Sequence, residues 1–359
     1  MAGFASRRRV VIVLGAALVG CVFAVSVANL VSGGQLVLVW RYALQAGLDR
    51  WAHVAELRVF TADNPRLFLD PDDVLMSRVI RTYGVWEAKE TRWVLQSLRE
   101  GDTFVDVGAS LGYYTVLAAA AVGEGGRVVA FEPAPSSCAL LRRNVRLNGY
   151  GNVTVEEKAV SNQPGSLRLY LAEENKGDHR IYQGSEPRPW VEVDAVTLDG
   201  YFDEVGGRVD VLKIDVQGAD FAVLQGASGL LEANPDICIT VEFSPSGLAG
   251  LGASGRDLLD FLSARDFVWF DLGIADSEVD RLEAVEAEWL LERHTVENES
   301  YTNLLAVRGK ARLEDLRRRL ARRLEGLGDA PPEVLAAEQA RARRAVEELT
   351  RELLVRRRR

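Results

Sequence analysis

Thr103-Phe-Val-Asp-Val-Gly-Ala-Ser-Leu-Gly112 runs into Tyr113 and an apolar stretch to Val122, and Val128-Val-Ala-Phe-Glu-Pro133 follows. This pattern predicts a strand, a glycine turn, a helix and a second strand with an acidic residue at its end. It confines the chain to an α/β architecture, because a strand that feeds a helix through so tight a bend belongs to a βαβ unit. Such a unit also has a use beyond packing. Its glycines let a ligand approach the backbone closely, its helix N-terminus offers free N–H groups, and its terminal carboxylate can accept ribose hydroxyls.

Three details point to S-adenosylmethionine rather than NAD as the nucleoside held there. The glycines run Gly108-x-x-x-Gly112, not the G-x-G-x-x-G that a pyrophosphate needs. Asp106 precedes the turn, where a carboxylate suits an ammonium and sulfonium but repels a pyrophosphate. Glu132 lies 24 residues after Gly108, near the offset of about 20 expected of a ribose-binding acid. A buried βαβ unit without a ligand is the competing explanation for the glycines alone; an NAD-dependent oxidoreductase suffers from their spacing.

The alternation continues downstream. Strands are expected over 104–108, 128–132, 153–159, 209–216, 237–243, 268–272 and 303–307, with helices over 113–122, 136–147, 220–231 and 255–264. Alternation of this kind predicts a mostly parallel, seven-stranded sheet covered on both faces. Residues 166–194 read as an insertion with strand signals of its own. Residues 35–100 read as an N-terminal helical region, helical through 51–100, and 101–309 as the main domain.

From about Asp70 to Leu305 the chain resembles the FkbM family of methyltransferases. The blocks that carry the likeness stand in family order: Tyr83-Gly-Val-Trp-Glu87 with Glu90-Thr91, Val105–Thr115, Phe131-Glu-Pro133, Asn144-Val-Arg-Leu-Asn-Gly149, Val196-Thr-Leu-Asp199 and Leu212-Lys-Ile-Asp-Val-Gln-Gly-Ala-Asp220. The resemblance implies a Rossmann-like class I methyltransferase fold, dependence on S-adenosylmethionine, and transfer mostly to hydroxyl oxygens. Two positions depart from the family pattern. Ser110 stands where Asn is usual, and Gln217 where Glu is usual, which removes a negative charge beside the expected site.

Ligands of such sheets lie across the C-terminal ends of the strands, at the point where strand order reverses. The cofactor is therefore expected against Asp106, Gly108, Ala109, Ser110, Gly112, Tyr113, Glu132, Pro133, Ala159 and Val160. An alcohol becomes a good nucleophile only as its proton leaves, so a base is needed within hydrogen-bond reach. Asp215, ending its strand, and His179, in the polar loop Lys176-Gly-Asp-His-Arg-Ile-Tyr182, are the catalytic candidates. Asp178 is expected to orient the His179 ring, and Asp178, Glu242 and Glu87 to touch the acceptor. His53 and His294 are read as structural, and Asp220 as an acid in a first helical turn. A Mg²⁺ held by Asp215, Asp220 and Glu242 is an alternative route to deprotonation, although no metal is expected. A fold that has lost its chemistry and serves as an interaction module is the rival from another class, suggested by Gln217.

Charge is unevenly spread. The net of −9 conceals +4 over residues 1–50 and +6 over 310–359, leaving −19 on the body between. An acidic body with no basic stripe argues against nucleic acid as a partner; basic ends suit an anionic membrane surface. Val10–Val31 is 22 residues without a charge, preceded by Arg7-Arg8-Arg9. As a helix it would be about 33 Å long, enough to cross a bilayer. It is read, within residues 1–34, as an uncleaved anchor, with a cleaved signal peptide as the competitor. The catalytic domain is expected on the cytosolic side, where the cofactor is made, although three arginines before the span favour the opposite topology. Leu313, Leu316, Leu320, Leu324 and Leu327 form an amphipathic stripe in the charged tail 310–359, suited to self-association or to a membrane surface. Cys21, Cys138 and Cys238 are too few and too far apart for a disulfide framework.

Overall fold

The computed structural model describes residues 54–57, 64–273, 285–309 and 314–315. The uncharged run 10–31, His53 and the leucine stripe of the tail lie outside them. Among the described residues no helix is long and apolar enough to cross a membrane.

Two helices, α1 (Met76–Tyr83) and α2 (Ala88–Ser97), precede the sheet. The alternating body then comprises β1 (Thr103–Val107), α3 (Tyr113–Val122), β2 (Arg127–Phe131), α4 (Pro135–Asn148) and β3 (Val153–Glu156). Outside the main sheet follow β4 (Ala159–Val160) and, at the two ends of the insertion, β5 (Gly165–Tyr170) and β6 (Trp190–Val196). After it come α5 (Leu198–Val205), β7 (Val211–Ile214), α6 (Asp220–Gln225), α7 (Ser228–Ala233), β8 (Cys238–Phe243), α8 (Pro245–Ala249), α9 (Gly255–Ser263), β9 (Val268–Asp271), α10 (Ala287–Arg293) and β10 (Thr302–Val307).

Seven strands form one sheet in the order β9-β10-β8-β7-β1-β2-β3. All neighbours are parallel except β10, which runs antiparallel to both β8 and β9. Strand order reverses between β1 and β7, which opens a crevice at their C-terminal ends. The strands are apolar on both faces because both are covered. Val105, Val107, Leu212, Ile214, Ile239 and Val241 pack on the side of α5–α7, α9 and α10. Phe104, Val128, Val211, Cys238 and Leu305 pack on the side of α1–α3. Cys138 and Cys238 are buried thiols, and Cys238 donates to the Ser97 hydroxyl at 3.5 Å.

Three expectations shift. The strand foreseen over 153–159 divides: β3 ends at Glu156, and Ala159–Val160 pair instead with Ala195–Val196 in the three-stranded sheet β4-β6-β5. The chain leaves the main sheet there to build a wall beside the strand ends. The helix foreseen over 220–231 breaks into α6 and α7 around Gly226, where a Cβ would fall 2.2 Å from the carbonyl of Ser161, so backbone packs on backbone. The segment read as wholly helical over 51–100 contains the short strand Arg66–Phe68. Asn144 and Asn148, one turn apart on α4, donate to and accept from the backbone of Phe68 and Arg66 as a neighbouring strand would.

Candidate active site

The glycine turn is built from left-handed backbone. Gly108 has φ +84° and lies so close to β7 that a Cβ would fall 1.9 Å from the Asp215 carbonyl. Ser110 adopts φ +50°, a conformation in which Asn is at ease, so a non-glycine residue other than Asn carries some strain here. Gly112, the N-cap of α3, sits against Leu141 of α4.

Glu132, just past β2, turns back over this bend. One carboxylate oxygen accepts the Ser110 N–H at 2.8 Å, the other the Ala134 N–H at 2.8 Å. Burial pushes its carboxyl up to about 7 against the lowering effect of the two N–H donors. Asp106 is 1% exposed. Its Oδ2 accepts the Thr115 hydroxyl at 2.6 Å, and its Oδ1 is buried without a partner among the described residues. Burial, the largest influence, raises its pKa. A buried, unsatisfied carboxylate oxygen beside an N-terminal helix turn favours positive charge nearby.

A cleft opens over these strand ends. Of the expected cofactor residues, Gly108, Ser110, Glu132, Pro133, Ala159 and Val160 line it, and so do both catalytic candidates, Asp215 and His179. Asp106, Ala109 and Gly112 do not line it, nor do the expected acceptor contacts Glu87, Asp178 and Glu242; Ala109 is buried among Ala130, Leu141 and Val145. Tyr113 also points elsewhere: its hydroxyl accepts the Trp86 N–H and bonds Thr91, tying α3 to α2. The expected orientation of His179 by Asp178 is not what the loop makes. Asp178 is spent on ion pairs with Arg180 (2.6 Å) and Arg188 (2.7 Å). The ring is held by backbone instead, its Nδ1 accepting the Ala172 N–H at 3.0 Å. His294 locks the turn before β10, bonding Ser300 at 3.0 Å.

A second cluster adjoins the turn on the face that carries α2 and α3. The parallel register sets Asp106 beside Lys213, and Lys213 beside Thr240; Glu242 pairs with Asn303 on β10. Alternate positions on four strands thus interrupt an apolar face with polar groups. Lys213 is 1% exposed; its Nζ lies 3.0 Å from Asp215 Oδ2 and 4.5 Å from the centre of the Tyr114 ring. Burial lowers its pKa, but Asp215, Glu90, Asp106 and Glu87 outweigh that and raise it overall. Glu87, the left-handed N-cap of α2, and Glu90 influence each other, and burial, the largest cause, raises both. Tyr114 donates to Glu87, and Asn303 to Glu90. Burial likewise raises Glu242.

Gln217 joins this cluster to the cleft. Its amide donates to Asp215 at 3.2 Å and to Glu242 at 3.4 Å. A glutamate here would add a fourth repelling carboxylate to Asp215, Glu242 and Glu87; the amide bridges two of them. The feature that suggested lost chemistry is therefore integrated into the site. Asp220 spends both oxygens on the Val216 and Gly218 N–H groups, so the metal trio of Asp215, Asp220 and Glu242 lacks a free third member.

Sequence reasoning missed Lys213, Glu90 and Tyr114, and the cleft residues Lys158, Leu169, Lys176 and Ile181. A lysine in the middle of the strand run Val211–Ile214, which is otherwise apolar, was a signal for the first. The others depend on which loops converge.

The family profile described as Methyltransferase FkbM domain matches residues 106–268. Methyltransferase 1 of Beauveria bassiana is 27% identical over 146 residues, covering 35% of this chain and 58% of that protein. Protein-L-isoaspartate O-methyltransferase 1 of Archaeoglobus fulgidus is 38% identical over 61 residues, covering 17% of this chain and 28% of its own. The chain thus spans less than two thirds of each of these relatives. Among solved structures, the O-methyltransferase of Bacillus cereus in complex with SAH aligns at 14% identity and a TM-score of 0.36, over 67% of this chain and 84% of that one.

Proposed function

Residues 106–268 form a methyltransferase FkbM domain, and from that premise we propose that the protein is an S-adenosylmethionine-dependent methyltransferase acting on a hydroxyl of a sugar, glycolipid or polyketide-like acceptor. The observation that carries the reading is Glu132 folded over the Gly108–Gly112 turn at the mouth of the cleft. Glu132 is suited to accept a ribose diol, Gly108 and Ser110 to bring backbone against the amino-acid end, and Ala159 and Val160 to flank the base. Asp106 lies outside the cleft lining, beside Lys213, and is suited to add negative charge behind the turn rather than to touch an ammonium group. Bound there, the cofactor would supply an activated methyl group.

The chain's own residues then manage the acceptor and its proton. Asp215 opens onto the cleft and is the acid in direct contact with the buried cation. It is suited to accept the hydroxyl proton as the oxygen becomes a nucleophile. Lys213 and Gln217 fix its two oxygens and hold the lone pairs in one orientation. Burial raises the carboxyls of Glu87 and Glu90, which limits the negative charge that would otherwise repel a developing alkoxide.

Calorimetry of S-adenosylmethionine with the full chain tests the reading: binding that is lost in Glu132→Ala supports it, and no binding to the native chain refutes it. The acceptor is open to mass spectrometry of glycans and lipids from a deletion strain, searched for loss of one methyl increment. The proposal extends to the membrane surface, with the catalytic domain on the cytosolic side and self-association through the tail. The uncharged run 10–31 behind three arginines and the leucine-arginine stripe over 313–327 support it. Flotation of the chain with anionic vesicles, lost on removal of residues 1–34, is the expected result.

A further inference from the structure

His179 lines the same cleft as Glu132 but comes from the insertion, which no part of the βαβ unit requires. Its ring nitrogens are unequal. Nδ1 accepts the backbone N–H of Ala172 at 3.0 Å, so in the neutral ring the proton must reside on Nε2. That Nε2–H is buried and finds no acceptor among the described residues. A buried donor without a partner is costly, and the ring that carries it lines a cleft whose proposed occupant carries acceptors.

The neighbours narrow the choice of acceptor. Leu169, Ile181, Ala159 and Val160 line the same cleft, and Leu169, Ile181 and Ala159 belong to one apolar cluster, a surface suited to a flat heteroaromatic ring. Glu132, which offers only acceptors, is matched to the ribose hydroxyls, whereas a donor is matched to a ring nitrogen. We infer that His179 is a recognition residue for the adenine base, its Nε2–H donating to one of the ring nitrogens, and that it is not the base of the reaction. The inference rests on the S-adenosylmethionine reading above. The surrounding charges agree. Burial and Lys176 lower the ring to about 4, against the opposing effect of Asp178, and a neutral ring with an occupied Nδ1 has no lone pair left with which to take a proton. The charged groups facing it are Lys176, Asp178 and Arg188, and the last two are paired with each other.

The test uses S-adenosylhomocysteine and analogues in which N1, N3 or N7 of the adenine is replaced by CH. For His179→Ala the expected affinity for the parent compound falls about 5- to 30-fold, and His179→Gln, which retains a donor, recovers most of it. One deaza analogue should bind the native chain as weakly as the parent binds His179→Ala, and lose nothing further in the variant. Unchanged affinity in His179→Ala, or equal penalties for every analogue in both proteins, overturns the inference while leaving the cofactor reading intact; no binding by the native chain overturns that reading instead. ¹⁵N-histidine spectra of the native chain, simple because it holds three histidines, give an independent check. An Nε2–H tautomer at pH 7 whose signal moves on adding S-adenosylhomocysteine is expected, and an Nδ1–H tautomer or an unresponsive signal counts against it.

Discussion

Glu132 and Lys213 are two buried charges that the fold keeps for opposite reasons. Glu132 has its carboxyl raised to about 7, by burial above all, yet only its ionised form is a pure acceptor for a diol. Affinity for S-adenosylhomocysteine should therefore rise with pH through about 6 to 8, by up to tenfold per pH unit on the acid side. Glu132→Gln should bind weakly and without that dependence when both are titrated by calorimetry. Lys213 sits among acids from β1, β8, the end of β7 and the first turn of α2. Its removal leaves Asp215 without its cation, and breaking a buried pair costs about 3–5 kcal/mol. Protonation relieves the acids, so Lys213→Met should be destabilised by that amount at pH 8 and by far less at pH 5. Urea unfolding at the two pH values measures the difference; an equal loss at both would contradict the electrostatic account.

At the scale of elements, α4 serves the site without touching it. Asn144 is fully buried, and its side chain bonds the backbone of Phe68 twice and the Leu111 carbonyl at 2.8 Å. It thereby fastens both the Arg66–Phe68 strand and the glycine turn to one helix. Asn144→Ala leaves those backbone groups to find water or go unpaired, and a loss of about 1–3 kcal/mol in chemical denaturation is expected. Cofactor affinity should weaken with it, because the turn loses an anchor. The Asn-x-x-x-Asn spacing was visible in the sequence, but its meaning was not: the strand that the two amides complete lies 76 and 82 residues away.

For the whole molecule, the acids set the response to pH. Glu132 and Asp220 are raised to about 7, and Glu87, Glu90 and Glu242 are raised as well, all chiefly by burial. The folded chain thus holds protons that the unfolded chain has released, and stability must fall as pH rises through the folded values. His179 and His294, both lowered by burial, act in the other direction, but only below about pH 6.5, where the unfolded rings charge. Lys213, raised, keeps its contribution throughout this range. The melting temperature should therefore decline from about pH 6.5 to 8 in the absence of ligand. Calorimetric scans across that range check the sign, and a flat or rising profile would show that these acids are ionised in the folded state.

The sequence by itself determined the βαβ unit, the order of the strands along the chain and the residues at their C-terminal ends. Those follow from local alternation and glycine placement, which a linear pattern records. Gly108, Ser110, Glu132, Pro133, Ala159, Val160 and Asp215 were legible for that reason and meet at one cleft. Tyr113 and Ala109 were misread because position next to a turn does not say which way a side chain faces. Only the tertiary structure decided that Lys213 lies beside Asp106, that Gln217 bridges Asp215 and Glu242, and that Ala172 rather than Asp178 orients His179. These are contacts between strands, or between a loop and a strand, and their partners are set by sheet register and loop closure, which no local pattern encodes.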